Sequence, residues 1–477
     1  MDLSNFLVMH AEISLIAVIV LLLFFDLFAS EKVKSHFQLI GCALFLAHTV
    51  YCFLPASAGE AFGGMYVTGT VQQFVKGILN IGVLLLFLQA RAWLDKPETV
   101  VRRGEFYLIT LFTLFGMYLM ISAGHFLLFY LGLETASIPA AVLIAYNKRK
   151  NESTEASIKY ILIAALSSGV MLYGISMLYG AVGTLYFADI NTLLTDISPM
   201  LLLGLVFFLA GMFFKLSVVP FHLWTADVYQ GAPTPVTAYL SVVSKGAVAF
   251  VLTSILFTAF PALFAEWKPI LWWLIVITIT IGNLFAIRQN NLKRFLAFSS
   301  ISQAGYILLG VVAGTQMGMA TVIYYILVYM FSNFAAFGVI TSIENQTGKV
   351  KMSDYNGLYG TNPKLALVMT LALFSLGGIP FFAGFFSKFF IFWAAAAANE
   401  PMMYLLVFIA LLNTIISLYY YLLVVKAMYI KESDTPVEKV KTDCYARTAL
   451  VICVGGILFV GLISIIFNYI QTISFGM

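Results

Sequence analysis

Long apolar runs, separated by short polar stretches, recur along nearly all of this 477-residue chain. Hydrophobic residues make up 61% and charged residues 10% of it, whereas a soluble domain carries about 25% charged residues. Many of the runs reach the length of roughly 20 residues that a helix needs to cross a bilayer. The sequence therefore predicts an all-α, polytopic membrane protein.

The runs predict about 14 transmembrane helices, called spans 1 to 14 in chain order. The first run is too long and has the wrong flanks for a cleaved signal peptide. The run at 365–397 is too long for one straight span and contains Gly377-Gly378-Ile379-Pro380, so it is predicted to be a broken helix. The predicted spans lie near 8–29, 36–54, 71–90, 106–122, 125–146, 156–180, 199–221, 236–260, 269–287, 292–314, 317–340, 365–397, 402–429 and 447–470.

Lys and Arg residues outside the spans are concentrated in the loops of one side. If the N-terminus is outside, the inner loops hold all of them except Lys268, and basic loops such as those with Lys32 and 148–150 are inside. Cytoplasmic loops carry an excess of Lys and Arg. The pattern predicts a bacterial inner-membrane protein with both termini on the periplasmic side.

The stretch Phe214–Lys245 contains a proline that interrupts an apolar run. Pro220 lacks an N–H and clashes with the preceding turn, so the helix that arrives through Phe214 is predicted to break there. A broken helix in a membrane needs surrounding protein or a watery cavity. Two buried lysines, Lys215 and Lys245, flank this break and predict a path for charge.

A related motif recurs in the second half of the chain. Phe214–Phe221 aligns with Phe374–Phe381, and the two segments share Phe, Leu, Pro and Phe. Their prolines lie in spans 7 and 12, so the two segments cross the membrane in opposite directions. Inverted repeats with broken helices are typical of transporters. The predicted units are 1–104 with spans 1–3, a first five-helix repeat at 105–265, an inverted second repeat at 266–430, and 431–477 with span 14.

Five lysines inside the predicted spans and one clear mid-span acid stand out, because a charge at the membrane centre costs about 2.5–3.5 kcal/mol to insert. They are Glu134, Lys76, Lys159, Lys215, Lys245 and Lys388. Glu134 and Lys215 can share a buried site because each favours the charged form of the other. Separation of the two would release a proton from Lys215, so the pair is predicted to be a proton switch. The alternative is a static pair that fixes helix packing.

Lys245 and Lys388 have no acid at their depth in neighbouring sequence. We expect polar groups or water around them, with Thr237, Tyr239, Ser241 and Ser244 beside Lys245. The lysines and Glu134 would then form a line of proton-carrying groups.

Three further charged positions are less specific. Lys159 is predicted either to extend to the inner surface or to pair with Glu134. Lys76, near the outer end of span 3, is predicted to reach the outer surface, and Glu12 in span 1 receives no role.

Two polar residues follow the break in span 7. His222 suits either a proton relay or a hydrogen bond to a carbonyl that the proline leaves free. Asp227 is predicted to cap a short helix, with proton collection as the alternative.

The chain shows no pattern for metal or nucleic-acid binding. Cys42, Cys52, Cys444 and Cys453 form no C-x-x-C, and there are only five histidines. We therefore expect no metal site in this chain and no nucleic-acid partner.

Three stretches resemble the antiporter-like membrane subunits of NADH-quinone oxidoreductase, respiratory complex I. They are LGLETASIPAAVLIAY (131–146), KLSVVPFHLWTADVYQGAPTPVTAYLSVVSK (215–245) and SLGGIPFFAGFFSKFFIF (375–392). The resemblance covers roughly residues 100–430 and is most specific in the second stretch.

This resemblance implies 14 spans, two broken inverted helices, and proton pumping driven by quinone reduction in other subunits. By position, Glu134 and Lys215 resemble the coupled pair of the family, Lys245 its central proton carrier and Lys388 its outer-side exit group. The resemblance also implies a translocase subunit without its own redox centre. Quinone, NADH, FMN and iron–sulfur clusters would belong to other subunits, and the partners would include the antiporter-like subunit M, the small subunit K and the lipid bilayer.

Two other functions are compatible with the same residues. One is a subunit of a multisubunit cation/proton antiporter, which is a secondary transporter without an electron-transfer partner. The other is a membrane scaffold with fixed ion pairs.

Overall fold

The computed structural model describes residues 6, 8–30, 34, 36–54, 58–194, 197–433 and 435–477. Lys32, which the loop pattern uses, lies outside these residues, as do parts of the predicted units 1–104 and 431–477. In the described part of the chain the fold is helical apart from a two-stranded antiparallel hairpin, Gly59–Ala61 with Tyr66–Thr68, and a few isolated bridges. The side of the bundle that carries this hairpin is called the hairpin end, and the opposite side, with residues 148–150, the basic end.

The helices match the predicted spans, and the all-α polytopic prediction is confirmed. Within the described residues, twelve helices are long and apolar enough to cross a membrane, and the remaining spans are the shorter span 2 and the two halves of span 12. In order, the spans are His10–Phe28, Phe37–Cys52, Thr70–Leu94, Arg103–Ile121, Phe126–Ile144, Asn151–Val182, Pro199–Leu216 followed by Leu223–Gly231, Thr234–Thr258, Phe264–Ile287, Leu292–Val312, Gln316–Thr347, Pro363–Gly377 followed by Ala383–Ala396, Pro401–Tyr429 and Cys444–Leu462. Short helices outside them are Val100–Arg102, Phe187–Leu193, Pro261–Leu263, Met352–Tyr355, Leu358–Thr361 and Ser464–Ile473.

Spans 7 and 12 are both broken, as predicted. The first half of span 7 ends at Leu216, and Ser217 takes a left-handed conformation with φ of 62°. The first half of span 12 ends at Gly377, and Gly378 takes a φ of 82°. Each helix stops before its proline because a residue that precedes proline disfavours the helical conformation and the proline donates no hydrogen bond. The division of the chain at 104, 265 and 430 stays a prediction.

Span 8 contains an irregularity that the sequence did not reveal. Its turn Leu240–Ser244 is a wider, π-helical turn, and Lys245 follows it directly. Such turns hold one extra residue and occur most often at functional sites in helices.

The spans that carry the central polar groups lie in the middle of the bundle. Spans 10 and 11 are entirely buried over their most apolar 18 residues, and span 8 is 89% buried. Spans 1, 6, 13 and 14 are at most 33% buried over the same length and form the periphery. Lys245 therefore lies on a helix that protein surrounds on nearly all sides.

Small residues bring neighbouring spans into backbone contact. A Cβ at Gly116 of span 4 would lie 2.6 Å from the carbonyl oxygen of Gly132 in span 5. A Cβ at Gly174 of span 6 would lie 2.7 Å from the carbonyl oxygen of Gly204 in span 7. Membrane helices associate mainly through close packing, so small residues at such crossings stabilise the bundle.

Lys76 does not reach the surface, and that prediction is wrong. Its side chain is fully buried, and Nζ lies 2.6 Å from Glu12 Oε1. Nζ also donates to Ser122 Oγ at 2.7 Å, and the Tyr66 hydroxyl donates to Glu12 Oε2 at 2.7 Å. The hairpin packs above this pair and shields both charges from water, so Glu12, which received no role, is the counter-ion of Lys76. The pair joins spans 1, 3 and 4 to the hairpin.

Replacement of Lys76 by methionine is expected to destabilise the chain by about 3–5 kcal/mol, because Glu12 would remain buried and uncompensated. The measurement is the thermal unfolding of the purified protein in detergent. The double variant Glu12→Leu with Lys76→Met is the control. It should recover much of the loss, since apolar residues often replace a buried ion pair without cost. A double variant that is no more stable than Lys76→Met would contradict this account.

Candidate functional site

Lys215 lies in the last turn before the break of span 7 and is buried. Its Nζ donates a hydrogen bond to Ser137 Oγ of span 5 and lies 5.6 Å from the ring centre of Tyr160. The ring of Phe214 lies at 5.4 Å. One hydroxyl and two aromatic faces therefore hold the ammonium group, and such faces attract cations.

Glu134 lies one turn before Ser137 on the same helix but forms no ion pair with Lys215 among the described residues. Its side chain is half-buried at an edge of the bundle, beside the exposed Leu131 and Ile138. Its buried Oε1 has no hydrogen-bond partner in the described part of the chain. The structure therefore places the carboxylate near the lysine while Ser137 occupies the direct contact.

Lys245 is buried at the end of the π-helical turn. Its Nζ donates to Ser300 Oγ of span 10 at 2.7 Å and lies 5.4 Å from the ring centre of Tyr229. Three of the four hydroxyl groups that the sequence suggested around Lys245 form hydrogen bonds to other groups. Ser241 donates to the carbonyl of Ala238, Thr237 to that of Tyr229, and Tyr239 is hydrogen-bonded to Thr113.

Lys388 is buried in the second half of span 12. Its Nζ donates to the carbonyl oxygen of Gly377 at 3.2 Å and lies 4.9 Å from the ring centre of Tyr306. The break leaves that carbonyl without a helical partner. A cavity of about 10 Å³ adjoins the lysine, with Ser332 and Ser375 in its wall. This volume is close to the space for one water molecule.

The three lysines therefore share one kind of environment. Each ammonium group is buried, hydrogen-bonded to a hydroxyl or a carbonyl, and close to an aromatic ring. None of the three has a carboxylate within ion-pair distance among the residues with described positions.

Comparison with known proteins identifies the family. Residues 123–417 match the model of the NADH:quinone oxidoreductase/Mrp antiporter transmembrane family. The NADH-quinone oxidoreductase subunit N of Azobacteroides pseudotrichonymphae genomovar. CFP2 is 56% identical, over 100% of this chain and 99% of that protein. The protein of the same name from Phocaeicola vulgatus is 55% identical, over 99% of both chains.

The chain belongs to the NADH:quinone oxidoreductase/Mrp antiporter family, and the two relatives above are members named subunit N. The resemblance seen in the three sequence stretches is thereby confirmed.

Solved structures agree with this membership. A chain of respiratory complex I from Thermus thermophilus with bound aureothin matches with a TM-score of 0.78 and 30% identity, over 95% of this chain and 97% of that one. A chain of the Mrp complex from Dietzia sp. DQ12-45-1b has a TM-score of 0.83 at 20% identity, over 99% and 96% of the two chains. The second likeness concerns the fold alone.

In the present chain, Lys159 lies in a charge cluster at the basic end. Its Nζ lies 2.9 Å from Asp227 Oδ2 and 2.7 Å from Glu155 Oε1, and Arg294 Nη1 lies 2.6 Å from Asp227 Oδ1. The expected alternative of a pair with Glu134 is therefore wrong. The cluster borders a cavity of about 140 Å³ and joins the second half of span 7 to spans 6 and 10. Arg294 was missed, since its sequence neighbours indicate only a basic loop.

His222 lies at the break of span 7, and Lys293 lies at the far end of the second half of that span. His222 is buried, and its Nδ1 has no hydrogen-bond partner in the described residues. Both proposed roles of this imidazole stay predictions. Lys293, which the sequence placed in an inner loop, is buried and donates to the carbonyl of Ala232 at 2.7 Å. It thereby fixes the turn between the second half of span 7 and span 8.

Asp227→Asn is expected to lower stability by only about 1 kcal/mol, because half-exposed ion pairs contribute little. Thermal unfolding of the purified protein would measure the change. Glu155→Gln, which removes one partner of Lys159 but leaves the contact between Asp227 and Arg294, should have a smaller effect. If Asp227→Asn does not yield a folded protein, the cluster holds the two repeats together more strongly than its exposure indicates.

Proposed function

We propose that this chain is a proton-translocating membrane subunit of an NADH-quinone oxidoreductase. The observation that carries the proposal is a set of three buried lysines, two beside helix breaks and one after a π-helical turn. None of them has a carboxylate in ion-pair distance among the described residues. A buried charge of this kind costs free energy in a membrane and marks an ion or proton path by default. The relatives named NADH-quinone oxidoreductase subunit N support the assignment of the complex.

In this mechanism the lysines take up and release protons in turn. Lysine is suited to the task because burial makes release of its proton easier and because its flexible side chain can change partners. When Glu134 is close to Lys215, the carboxylate stabilises the ammonium form. When Glu134 moves away, Lys215 holds only Ser137, as it does in this structure, and its proton passes toward Lys245. Lys388 is then the last station before release.

The proposed direction of transport is from the basic end to the hairpin end. The basic loops support a cytoplasmic position of the first and a periplasmic position of the second, with both termini periplasmic in a bacterial inner membrane. Lys159 and His222 lie at the basic end of the path and at its first break, respectively.

The energy for transport would come from other subunits. Within the described residues no group of three or more His, Cys, Asp or Glu side chains could hold a metal ion. We place the quinone, NADH, FMN and iron–sulfur clusters in partner subunits, and this chain would contribute no redox step of its own.

Contact with neighbouring subunits is supported by the edge of span 5. Leu131 and Ile138 are 56% exposed there, and the half-buried Glu134 lies between them. A carboxylate that faced lipid would be costly, so a neighbouring membrane helix should cover this edge. Subunits K and M are the proposed neighbours in the complex. Co-purification of this chain with small antiporter subunits, and not with quinone-oxidoreductase subunits, would favour the alternative cation/proton antiporter.

The variants Lys215→Ala and Glu134→Ala are expected to assemble but to reduce proton pumping by roughly 100-fold or more, since removal of a positioned proton-transfer group has effects of this size. Coupled quinone reduction should fall as well. Proton uptake into vesicles measures the pumping, and the accompanying rate of NADH oxidation measures the coupled quinone reduction. Lys349→Ala is the control, because Lys349 is an exposed loop residue that donates to the carbonyl of Thr435. Normal pumping in both path variants would refute the proton switch.

Lys388→Glu is expected to keep part of the pumping activity, because a carboxyl group at the same place can also bind and release a proton. Lys388→Met, which removes the proton-carrying group at similar size, should abolish pumping. The same vesicle measurement distinguishes the two. Complete loss in Lys388→Glu, with normal assembly, would argue against an exchangeable exit group.

A further inference from the structure

A single carboxamide lies between the partners of Lys245 and the cavity at Lys388. Gln303 is on span 10, one turn beyond Ser300, whose hydroxyl accepts from Lys245. Its side chain is buried, and it lines the same cavity of about 10 Å³ that adjoins Lys388. Gln303 therefore lies beside a direct route from Lys245 and Ser300 to Lys388.

Three neighbouring elements fix the orientation of the Gln303 amide. The Tyr325 hydroxyl of span 11 donates to Oε1. Nε2 donates to the Tyr421 hydroxyl of span 13 at 3.2 Å and to the carbonyl oxygen of Leu376 at 3.4 Å. The carbonyl can only accept, so it keeps the NH₂ group on that side and prevents the amide from turning over.

The chemistry of the amide differs from that of the groups around it. A hydroxyl accepts and donates through one oxygen and can therefore take one proton and give up another. A carboxamide donates from nitrogen and accepts at oxygen, so it forms hydrogen bonds on both sides without passing a proton through. The hydroxyls of Tyr325 and Tyr421, which can pass protons, are joined through an amide that does not.

We propose that Gln303 is a proton-blocking residue that prevents direct transfer between Lys245 and Lys388, an inference that rests on the proposed proton-pumping function. In the observed arrangement the block is closed. Transfer takes place when water fills the cavity beside the amide, or when movement of the Leu376 carbonyl at the break of span 12 lets the amide turn away.

The cavity wall supplies the route around the block. The Tyr329 hydroxyl lines the cavity, is buried, and has no hydrogen-bond partner among the described residues. Tyr329 lies on span 11, as does Ser332, which donates to Ser375 Oγ at 2.8 Å. A water molecule hydrogen-bonded to Tyr329 would therefore reach the Lys388 side without use of the amide. Gln303 lines the same cavity, so its position decides whether water can fill this route.

The test uses the whole complex in liposomes, with Gln303→Glu and Gln303→Met as variants of similar size. The carboxyl group can carry a proton, so Gln303→Glu should collapse an imposed pH gradient several-fold faster than the wild type in the absence of NADH. It should also translocate fewer protons per NADH while NADH oxidation continues. Gln303→Met fills the same space without carrying a proton and should remain as tight as the wild type.

Gln89→Glu is the matched control. Gln89 is another buried glutamine, and its Nε2 donates to the carbonyl of Phe334 at 2.8 Å; Gln89 does not line the cavity at Lys388. This variant should not leak. If the Gln303→Glu and Gln303→Met complexes both hold the pH gradient as long as the wild type, the proposal is overturned. Should Gln303→Glu fail to assemble, Gln303→Ala, which opens room for water, takes its place, and a tight Gln303→Ala complex would overturn the proposal equally.

The controls separate this inference from the proposed function. A wild-type complex that oxidises NADH without proton translocation would refute the pumping function itself. A wild-type complex that pumps, together with a Gln303→Glu complex that does not leak, would refute only the block.

Discussion

A bilayer offers no hydrogen bonds, so every backbone group that a broken helix frees must find a partner inside the protein. At the first break the carbonyl oxygen of Phe214 accepts from the backbone N–H of Ser217 at 3.0 Å and from Trp224 Nε1 at 3.1 Å. At the second break the partner of the Gly377 carbonyl is Lys388 itself, at 3.2 Å. The arrangement of spans 7 and 12 depends on these contacts, because an unsatisfied peptide group in hydrocarbon costs several kcal/mol.

The two repeats use this requirement differently. In the first, a side chain that does not exchange protons closes the break, and Lys215 binds Ser137 on another helix. In the second, Lys388 closes the break, so a change in its charge also changes how well the Gly377 carbonyl is satisfied. Proton binding and backbone conformation are therefore connected at span 12 more directly than at span 7. The aligned residues Lys215 and Ser375 already indicate this asymmetry in the sequence.

The sequence predicted features that depend on a single helix, but it did not predict the contacts between two helices. Span number, both breaks and the depth of Lys215, Lys245 and Lys388 follow from local apolar length and from proline and glycine positions. The partners Glu12 for Lys76 and Ser300 for Lys245 did not follow. Membrane helices are apolar on nearly all faces, so hydrophobic periodicity does not show which face meets which neighbour. The family resemblance implied the roles of these residues but not their contacts.

The buried pair of Glu12 and Lys76 has a consequence for the response of the protein to membrane voltage. Both charges lie together beneath the hairpin and sum to zero, so a transmembrane field exerts almost no net force on spans 1 and 3. A lone charge that crosses the whole membrane exchanges about 2.3 kcal/mol per 100 mV. In the proposed mechanism the voltage acts on the proton that the three lysines carry, and the paired charges of the N-terminal helices do not respond to it.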